Sequence, residues 1–314
     1  MEVNRTTTIF FPWNSESNLG CLGSGTQTEV VLSLVRIVTD STAQLDPDLA
    51  EELGIVVVPL RISFGTQTLR EGVDITPAEF FRRVAHSSTL PKASAPSVEE
   101  FRQVFATLNQ STDQIISLNV SGKLNDTCYH ARMAAEDFLG RCEIVVVDSW
   151  TVSLGLSILV EAAARAALDG ASLDEVVRLV RGMIPHIYAV FFTDALEYLK
   201  RAQHLTESQA MLGTMLNIRP FLALEEGEIV PMEKVRTREK AIDKLVEFVS
   251  EFSRIERIAV VHSPSRAGKD ARLLQDRLQS TFPAYEFGSL TYGPTLGTYI
   301  GPYSLGLIVY EGIE

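Results

Sequence analysis

Short apolar runs alternate with amphipathic stretches along most of this chain. Each run that ends in small or polar residues predicts a buried strand, and apolar residues spaced three and four apart predict a helix. In the first half the predicted strands are Val35–Thr39, Ile55–Leu60, Asp113–Val120 and Glu143–Val147, with a hairpin over Arg61–Leu69. The predicted helices are Pro47–Leu53, Pro77–Ala85, Val98–Leu108, Thr127–Leu139 and a buried Val152–Leu168. Such alternation favours a mainly parallel sheet with helices on both faces.

The pattern changes after about residue 185. The predicted strands there are Ile187–Phe192, Arg257–Val261 and Leu305–Tyr310, with a hairpin of Ile218–Leu224 and Glu228–Arg236. The predicted helices are Asp194–Arg201, Ala241–Phe252 and Lys269–Ser280, and Gly293–Gly301 is predicted to be a glycine-rich loop. This texture is α+β. We therefore predict an α/β protein with an N-terminal domain over 35–185 and a C-terminal domain over 186–314.

Residues 1–34 form a different kind of segment, rich in Thr, Ser, Asn and Gly, and we expect a flexible extension there. Its apolar island, Ile9–Trp13, is too short for a signal peptide and contains Pro12. The most apolar stretch of the chain, Val152–Leu168, carries Glu161 and Arg165 and is better explained as a core helix than as a membrane span. We expect a cytoplasmic protein with no integral membrane segment.

The charge balance narrows the possible partners. The formal net charge of −12 argues against binding to nucleic acid, because phosphate recognition needs a basic surface. Three scattered cysteines, Cys21, Cys128 and Cys142, show no CxxC spacing and indicate free thiols. No HExxH or Cys/His cluster is present, so we expect no metal and no cofactor.

The familiar catalytic motifs are also missing from the sequence. Neither a complete P-loop, a GxGxxG after the first strand, nor a GxSxG elbow occurs. Hydroxyl and small residues instead recur where predicted strands end, as in Asp40-Ser41-Thr42, Ser94-Ala95-Pro96-Ser97 and Asn125-Asp126-Thr127. Helix capping explains each of them singly, whereas the set together suits an anion such as a carboxylate.

At this point the motifs resemble those of the DegV family of bacterial fatty-acid-binding proteins, from Val35 to Glu314. The matching segments, in chain order, are Val38–Ala43, Lys92–Ser97, Ser121–Thr127, Val147–Ser149, Tyr198–Arg201, Leu216–Pro220 and Gly293–Pro302. Each motif is short, but their order over most of the chain makes the resemblance specific. The resemblance implies two α/β domains that enclose one long-chain fatty acid in a tunnel at their junction. It also implies a carrier without catalysis of its own, which presents the carboxylate to a separate fatty acid kinase.

Carried over by position, the resemblance places the head-group contacts at Ser94, Asn125, His204 and Tyr299, with Ala93 and Thr127 beside them. Asn125 stands where serine is common in the family and Ala93 where threonine is. His204 replaces the usual arginine, and Tyr299 replaces the usual histidine. The chain therefore departs from the family mainly at the head-group end.

These departures leave alternatives open. Burial of a 16-carbon tail is worth roughly 10–12 kcal/mol, more than any head-group hydrogen bond, so a bulkier or neutral lipid is a second candidate ligand. A candidate of another class is an acyl-transfer enzyme that uses Ser94 with His204 or His262. We also hypothesise that carboxylate binding strengthens as the pH falls from about 8 to 6, because a histidine at position 204 would gain charge in that window.

Overall fold

The computed structural model describes residues 34–202, 219–264 and 267–313. The strands are β1 Arg36–Asp40, β2 Val56–Val58, β3 Arg61–Phe64, β4 Gln67–Arg70, β5 Lys92–Ser94, β6 Gln114–Asn119, β7 Glu143–Asp148, β8 Ile187–Phe192, β9 Arg219–Glu225, β10 Glu228–Val235, β11 Arg257–His262, β12 Gly288–Thr291 and β13 Leu305–Tyr310. The helices are α1 Pro47–Glu52, α2 Pro77–Val84, α3 Val98–Leu108, α4 Thr127–Ala135, α5 Leu154–Leu168, α6 Leu173–Met183, α7 Leu196–Arg201, α8 Arg238–Val249, α9 Ala267–Thr281 and α10 Pro294–Ile300. No helix within the described ranges has the length and apolar character needed to cross a bilayer.

The first sheet is parallel throughout, in the order β2-β1-β6-β7. Helices α5 and α6 cover one face, and α3 and α4 cover the other. Its central strands are apolar and buried on both faces because each face packs against helices. This arrangement confirms the α/β pattern predicted for the first half.

A small antiparallel sheet, in the order β4-β3-β5, sits beside the parallel one. Strands β3 and β4 confirm the hairpin predicted around Gly65. Lys92–Ser94 pairs with Arg61–Ser63 as strand β5, a strand that the sequence pattern did not predict. These residues have little intrinsic strand preference, so the partner strand rather than the local sequence determines their conformation.

The second half contains a six-stranded mixed sheet, in the order β10-β9-β8-β13-β11-β12. Only β11 and β12 pair in parallel; the other neighbours are antiparallel. Helices α8 and α9 pack on one face around Leu245 and Leu274. The predicted hairpin is present, and its turn residues Glu226 and Gly227 both have positive φ, at 46° and 84°.

The predicted loop Gly293–Gly301 is wrong, because Pro294–Ile300 forms helix α10. Gly293 is the extended N-cap, and Pro294 at the first helical position has a φ already suited to a helix. A Cβ on Gly297 would lie 2.5 Å from the ring of Phe80, so this glycine allows α10 to approach α2 closely. Gly293 therefore caps the start of a helix, and Gly297 allows a close helix–helix contact.

An apolar layer joins the two halves; we call it the junction cluster. Its largest buried members are Phe80 and Phe81 of α2, Phe191 of β8, Tyr292, and Leu296 of α10. Further members come from β3, α7, β9, β11 and β13. Since this cluster takes residues from both sides of residue 185, the proposed domain boundary stays a prediction.

Candidate functional site

The last turn of α10 meets the loop that follows β6 at the edge of the junction cluster. The Tyr299 hydroxyl donates a hydrogen bond of 2.9 Å to the carbonyl of Leu124. Burial raises the pKa of Tyr299 to about 12, while the neighbouring Asn125 amide acts in the opposite direction. Tyr299 is therefore neutral at physiological pH, and its one proton is committed to the backbone.

Asn125 has one satisfied end and one unsatisfied end. Its Oδ1 accepts hydrogen bonds from the Thr127 backbone N–H at 2.9 Å and from the Thr127 hydroxyl at 2.5 Å. Its Nδ2 is buried near the Tyr299 hydroxyl, close enough to lower the pKa of that tyrosine, but it makes no hydrogen bond of good geometry within the part of the chain that the structure describes. A buried, unpaired N–H group costs about 1–3 kcal/mol, so the site has a place for an acceptor oxygen.

The remaining predicted residues lie on β5 or outside the described residues. Ala93 is half-buried against the junction cluster, and β5 packs against α10. Ser94, the next residue, is exposed, and its backbone lies opposite Arg61. His204 lies outside the described residues. The structure therefore brings Asn125, Thr127 and Tyr299 together, places Ala93 on a strand that packs against α10, and leaves Ser94 exposed.

Arg201, at the end of α7, belongs to the same region and was given no role by the sequence reasoning. Its guanidinium donates to the carbonyl of Pro91, just before β5, and to that of Thr298, at 2.5 Å for the latter. It also lies 5.8 Å from the centroid of the Tyr198 ring. Burial lowers the pKa of Arg201, although arginine remains charged at any physiological pH.

The first turn of α10 presents a contrasting arrangement around a buried carboxylate, Glu71. Its Oε1 accepts from the Thr295 N–H at 2.9 Å, and its Oε2 accepts from the hydroxyls of Thr295 and Ser41 at 2.7 and 2.8 Å. Burial raises the pKa of Glu71 and outweighs the hydrogen bonds that lower it. Glu71 thus ties the segment after β4 to α10.

Asp40, at the end of β1, is the second buried carboxylate. Its Oδ1 accepts from the backbone N–H and the hydroxyl of Thr42, at 3.0 and 2.6 Å, and its Oδ2 accepts from the Val120 N–H at 2.7 Å. Burial raises the pKa of Asp40 as well. These bonds cap the short 3-10 helix Ser41–Ala43 and fasten the ends of β1 and β6, as expected if Asp40-Ser41 serves capping alone.

Two further features bear on the alternatives. A cavity of about 880 Å³ lies between Lys123, Trp150 and the β8–β10 face of the second sheet, and its lining contains none of the predicted head-group residues. The ring nitrogens of His262 bond the Ser263 carbonyl at 2.8 Å and the Ser289 hydroxyl at 3.1 Å, rather than Ser94. Within the described residues, no group of three or more His, Cys, Asp or Glu is placed to hold a metal ion.

The model of the DegV family, described as a family of uncharacterised proteins, matches residues 34–312. The chain belongs to the DegV family. Among its DegV relatives, a DegV domain-containing protein of Halalkalibacterium halodurans is 32% identical over 283 residues, which cover 89% of this chain and 99% of the relative. Protein DegV of Bacillus subtilis is 30% identical over 277 residues, which cover 87% of this chain and 98% of that protein.

Solved DegV structures share the fold. A DegV family protein of Thermus thermophilus, described by its fatty acid binding, superposes with a TM-score of 0.77 at 32% identity and covers 88% of this chain and 99% of its own. DegV of Bacillus subtilis, described as a fatty acid binding protein, superposes with a TM-score of 0.78 at 28% identity, over 89% of this chain and 100% of its own. The junction described above therefore belongs to a fold whose solved members include fatty-acid-binding proteins.

Proposed function

We propose that this DegV-family protein binds one long-chain fatty acid in an internal tunnel at the junction of its two domains, 35–185 and 186–314, and presents the carboxylate to a separate fatty acid kinase. The observation that carries the proposal is the orphaned, buried Nδ2 of Asn125 beside Tyr299, at the edge of the apolar junction cluster. A polar donor without a partner next to a large apolar surface suits a ligand with one polar end.

The energetics of such a ligand match this arrangement. Each buried methylene contributes about 0.8 kcal/mol, so the acyl chain supplies most of the affinity. The head group adds less, about 0.5–3 kcal/mol, but it fixes which end of the ligand reaches the surface. We assign the tail to the junction cluster and the carboxylate to the region of Asn125.

The proposed head-group residues have distinct roles. Asn125 donates Nδ2 to the carboxylate, and Thr127 holds the Asn125 carbonyl end in place. Tyr299 closes the site by its bond to Leu124, and Ala93 adds apolar wall. Ser94 contacts the carboxylate from the exposed rim, where a kinase has access to it. His204 remains a predicted contact.

Two DegV proteins related to this chain support the proposal, since both are described as binding fatty acid. Phosphorylation of a carboxylate consumes ATP, so we place the protein in the cytoplasm with its kinase. The protein itself would then act as a carrier and not as an enzyme.

Lipid analysis of the purified protein tests the proposal. Organic extraction followed by mass spectrometry should yield one fatty acid per protein chain. Incubation of the loaded protein with a fatty acid kinase and ATP should then convert that acid to acyl phosphate. A control loaded with the methyl ester should give no acyl phosphate. Recovery of a stoichiometric neutral or bulky lipid would instead identify that lipid as the ligand. Ester turnover by the protein alone would favour an acyl-transfer enzyme.

A further inference from the structure

Arg201 is a partly buried cation that forms no ion pair with any of the residues that the structure describes. Among residues 34–202, 219–264 and 267–313, its hydrogen bonds go to two backbone carbonyls, and the titratable groups that influence its pKa are Tyr198 and Tyr299 rather than a carboxylate. Most arginines in the same part of the chain that are comparably shielded form ion pairs, as Arg257 does with Glu161 at 2.8 Å. A desolvated charge with no counter-ion is costly.

The guanidinium has donors to spare. It carries five N–H groups in a rigid plane, and the carbonyls of Pro91 and Thr298 occupy one on each terminal nitrogen. The described part of the chain supplies no acceptor for the other three N–H groups. An arginine with free donors in one plane suits the two oxygens of a carboxylate.

The position of Arg201 matches the head-group site. Its two carbonyl partners bracket that site, because Pro91 leads into β5 and Thr298 immediately precedes Tyr299. Tyr299 in turn is bonded to Leu124, next to Asn125. Arg201 and the Asn125 side chain thus both lie close enough to Tyr299 to influence its ionisation.

We propose that Arg201 is the cation that binds the fatty-acid carboxylate in this protein, together with Asn125. This inference rests on the proposed function and specifies its substrate class: an ionised carboxylic acid rather than a neutral lipid. It also explains how the site operates with histidine at position 204, because a permanent positive charge is supplied three residues earlier.

Paired affinity measurements test this assignment. The dissociation constants of a long-chain fatty acid and of its methyl ester are measured by displacement of a fluorescent acyl probe, for the wild type and for Arg201→Met, Arg201→Gln and Arg201→Lys. We expect the preference for acid over ester to fall about tenfold to a hundredfold in the Met and Gln variants and less in the Lys variant. Ester affinity should change less than threefold. Arg141→Met, at an exposed position just before β7, controls for loss of one positive charge.

The outcomes separate the two levels of the proposal. Arg201→Gln keeps donors for the backbone carbonyls, so an equal loss of acid and ester binding in all variants would show a purely structural role and overturn the assignment. An unchanged acid-to-ester ratio would also overturn it. A wild type that binds neither acid nor ester would instead refute the proposed function itself.

The pH profile offers a second test against the histidine hypothesis. Among the described residues, the titratable groups that face Arg201 are Tyr198 and Tyr299, each with its pKa raised to about 12, and Glu197 lies beside Tyr198. None of these tyrosines changes charge between pH 6 and 8, so the acid-to-ester ratio of the wild type should stay flat there. A ratio that rises as the pH falls, and still rises in Arg201→Met, would assign the charge to His204 and contradict the proposal.

Discussion

The buried polar groups near the two ends of helix α10 differ in how completely they are hydrogen-bonded. At its first turn, each oxygen of Glu71 accepts at least one hydrogen bond from Thr295 or Ser41. At its last turn, Asn125 keeps an unpaired donor, and Arg201 has no carboxylate partner within the described residues. The same helix thus joins a saturated polar cluster to an unsaturated one.

This difference distinguishes the polar groups that stabilise the fold from those that we propose bind the ligand. At one end of this seven-residue helix the buried carboxylate is fully paired. The unused donors at the other end lie where we propose that the head group of the ligand binds. The buried carboxylates Asp40 and Glu71 also have raised pKa values, but each of their oxygens already accepts a hydrogen bond from the protein.

Removal of Glu71 should produce the largest effect. Glu71→Ala leaves the Thr295 N–H and two hydroxyls without their acceptor, and we expect it to lower the free energy of unfolding by about 2–4 kcal/mol. Urea denaturation followed by circular dichroism measures the loss. Glu71→Gln is the matched control, because its amide can still pair with all three groups, and it should stay within about 1 kcal/mol of the wild type. Equal losses in both variants would mean that the charge itself is required.

The free energy of unfolding of the wild type and that of Glu71→Gln should depend differently on pH. Burial raises the folded-state pKa of Glu71, so the folded protein holds this proton more tightly than the unfolded chain. The associated stability is present at low pH and is lost as the pH rises through the raised pKa. The stability of the wild type relative to Glu71→Gln should therefore fall as the pH is raised from about 4.5 to 7. A difference that grows with pH would contradict the direction of the shift.

Tyr299→Phe should have a moderate effect on stability and little on selectivity. The change leaves the Leu124 carbonyl without its 2.9 Å hydrogen bond, which is worth about 1 kcal/mol. Thermal denaturation measures this cost. Because the hydroxyl proton points to the backbone, the ratio of acid to ester affinity should change less than twofold. A tenfold drop in that ratio would make Tyr299 a direct donor to the ligand.

The smallest effect is expected at Ser94, which is exposed on β5. Ser94→Ala should change the free energy of unfolding by less than about 0.5 kcal/mol. If the hydroxyl contacts the carboxylate, acid affinity should fall up to about tenfold while ester affinity falls less. Calorimetric titration of both ligands would reveal it, and identical affinities for the variant and the wild type would remove Ser94 from the site.

The sequence alone predicts the strands and helices that have strong hydrophobic periodicity. The apolar runs of β6, β8 and β13 and the amphipathic α3 are where the pattern predicted them, because burial determines both pattern and structure. Helix α6 was missed despite the capping box of Ser172 and Glu175. Helix α10 was missed because its glycines and proline are loop residues in most contexts.

The site was harder to predict than the fold. Family motifs placed Asn125, Ala93 and Tyr299 in one region, but nothing local in the sequence distinguishes Arg201 from the neighbouring Lys200. Its significance depends on which carbonyls and which carboxylates surround it in space. Those neighbours come from Pro91 and Thr298, about a hundred residues away on either side, at separations of 110 and 97 residues.

Helix α10 also has a consequence for how the molecule melts. Residues of the first half hold its start through Glu71 and Gln44, whose Oε1 accepts from the Gly293 N–H at 2.9 Å, and they hold its end through the Leu124 carbonyl. Neither half can lose its structure without breaking this shared helix. Calorimetric heating should therefore show one transition, with the measured enthalpy equal to the van't Hoff enthalpy, although the described residues form three separate sheets.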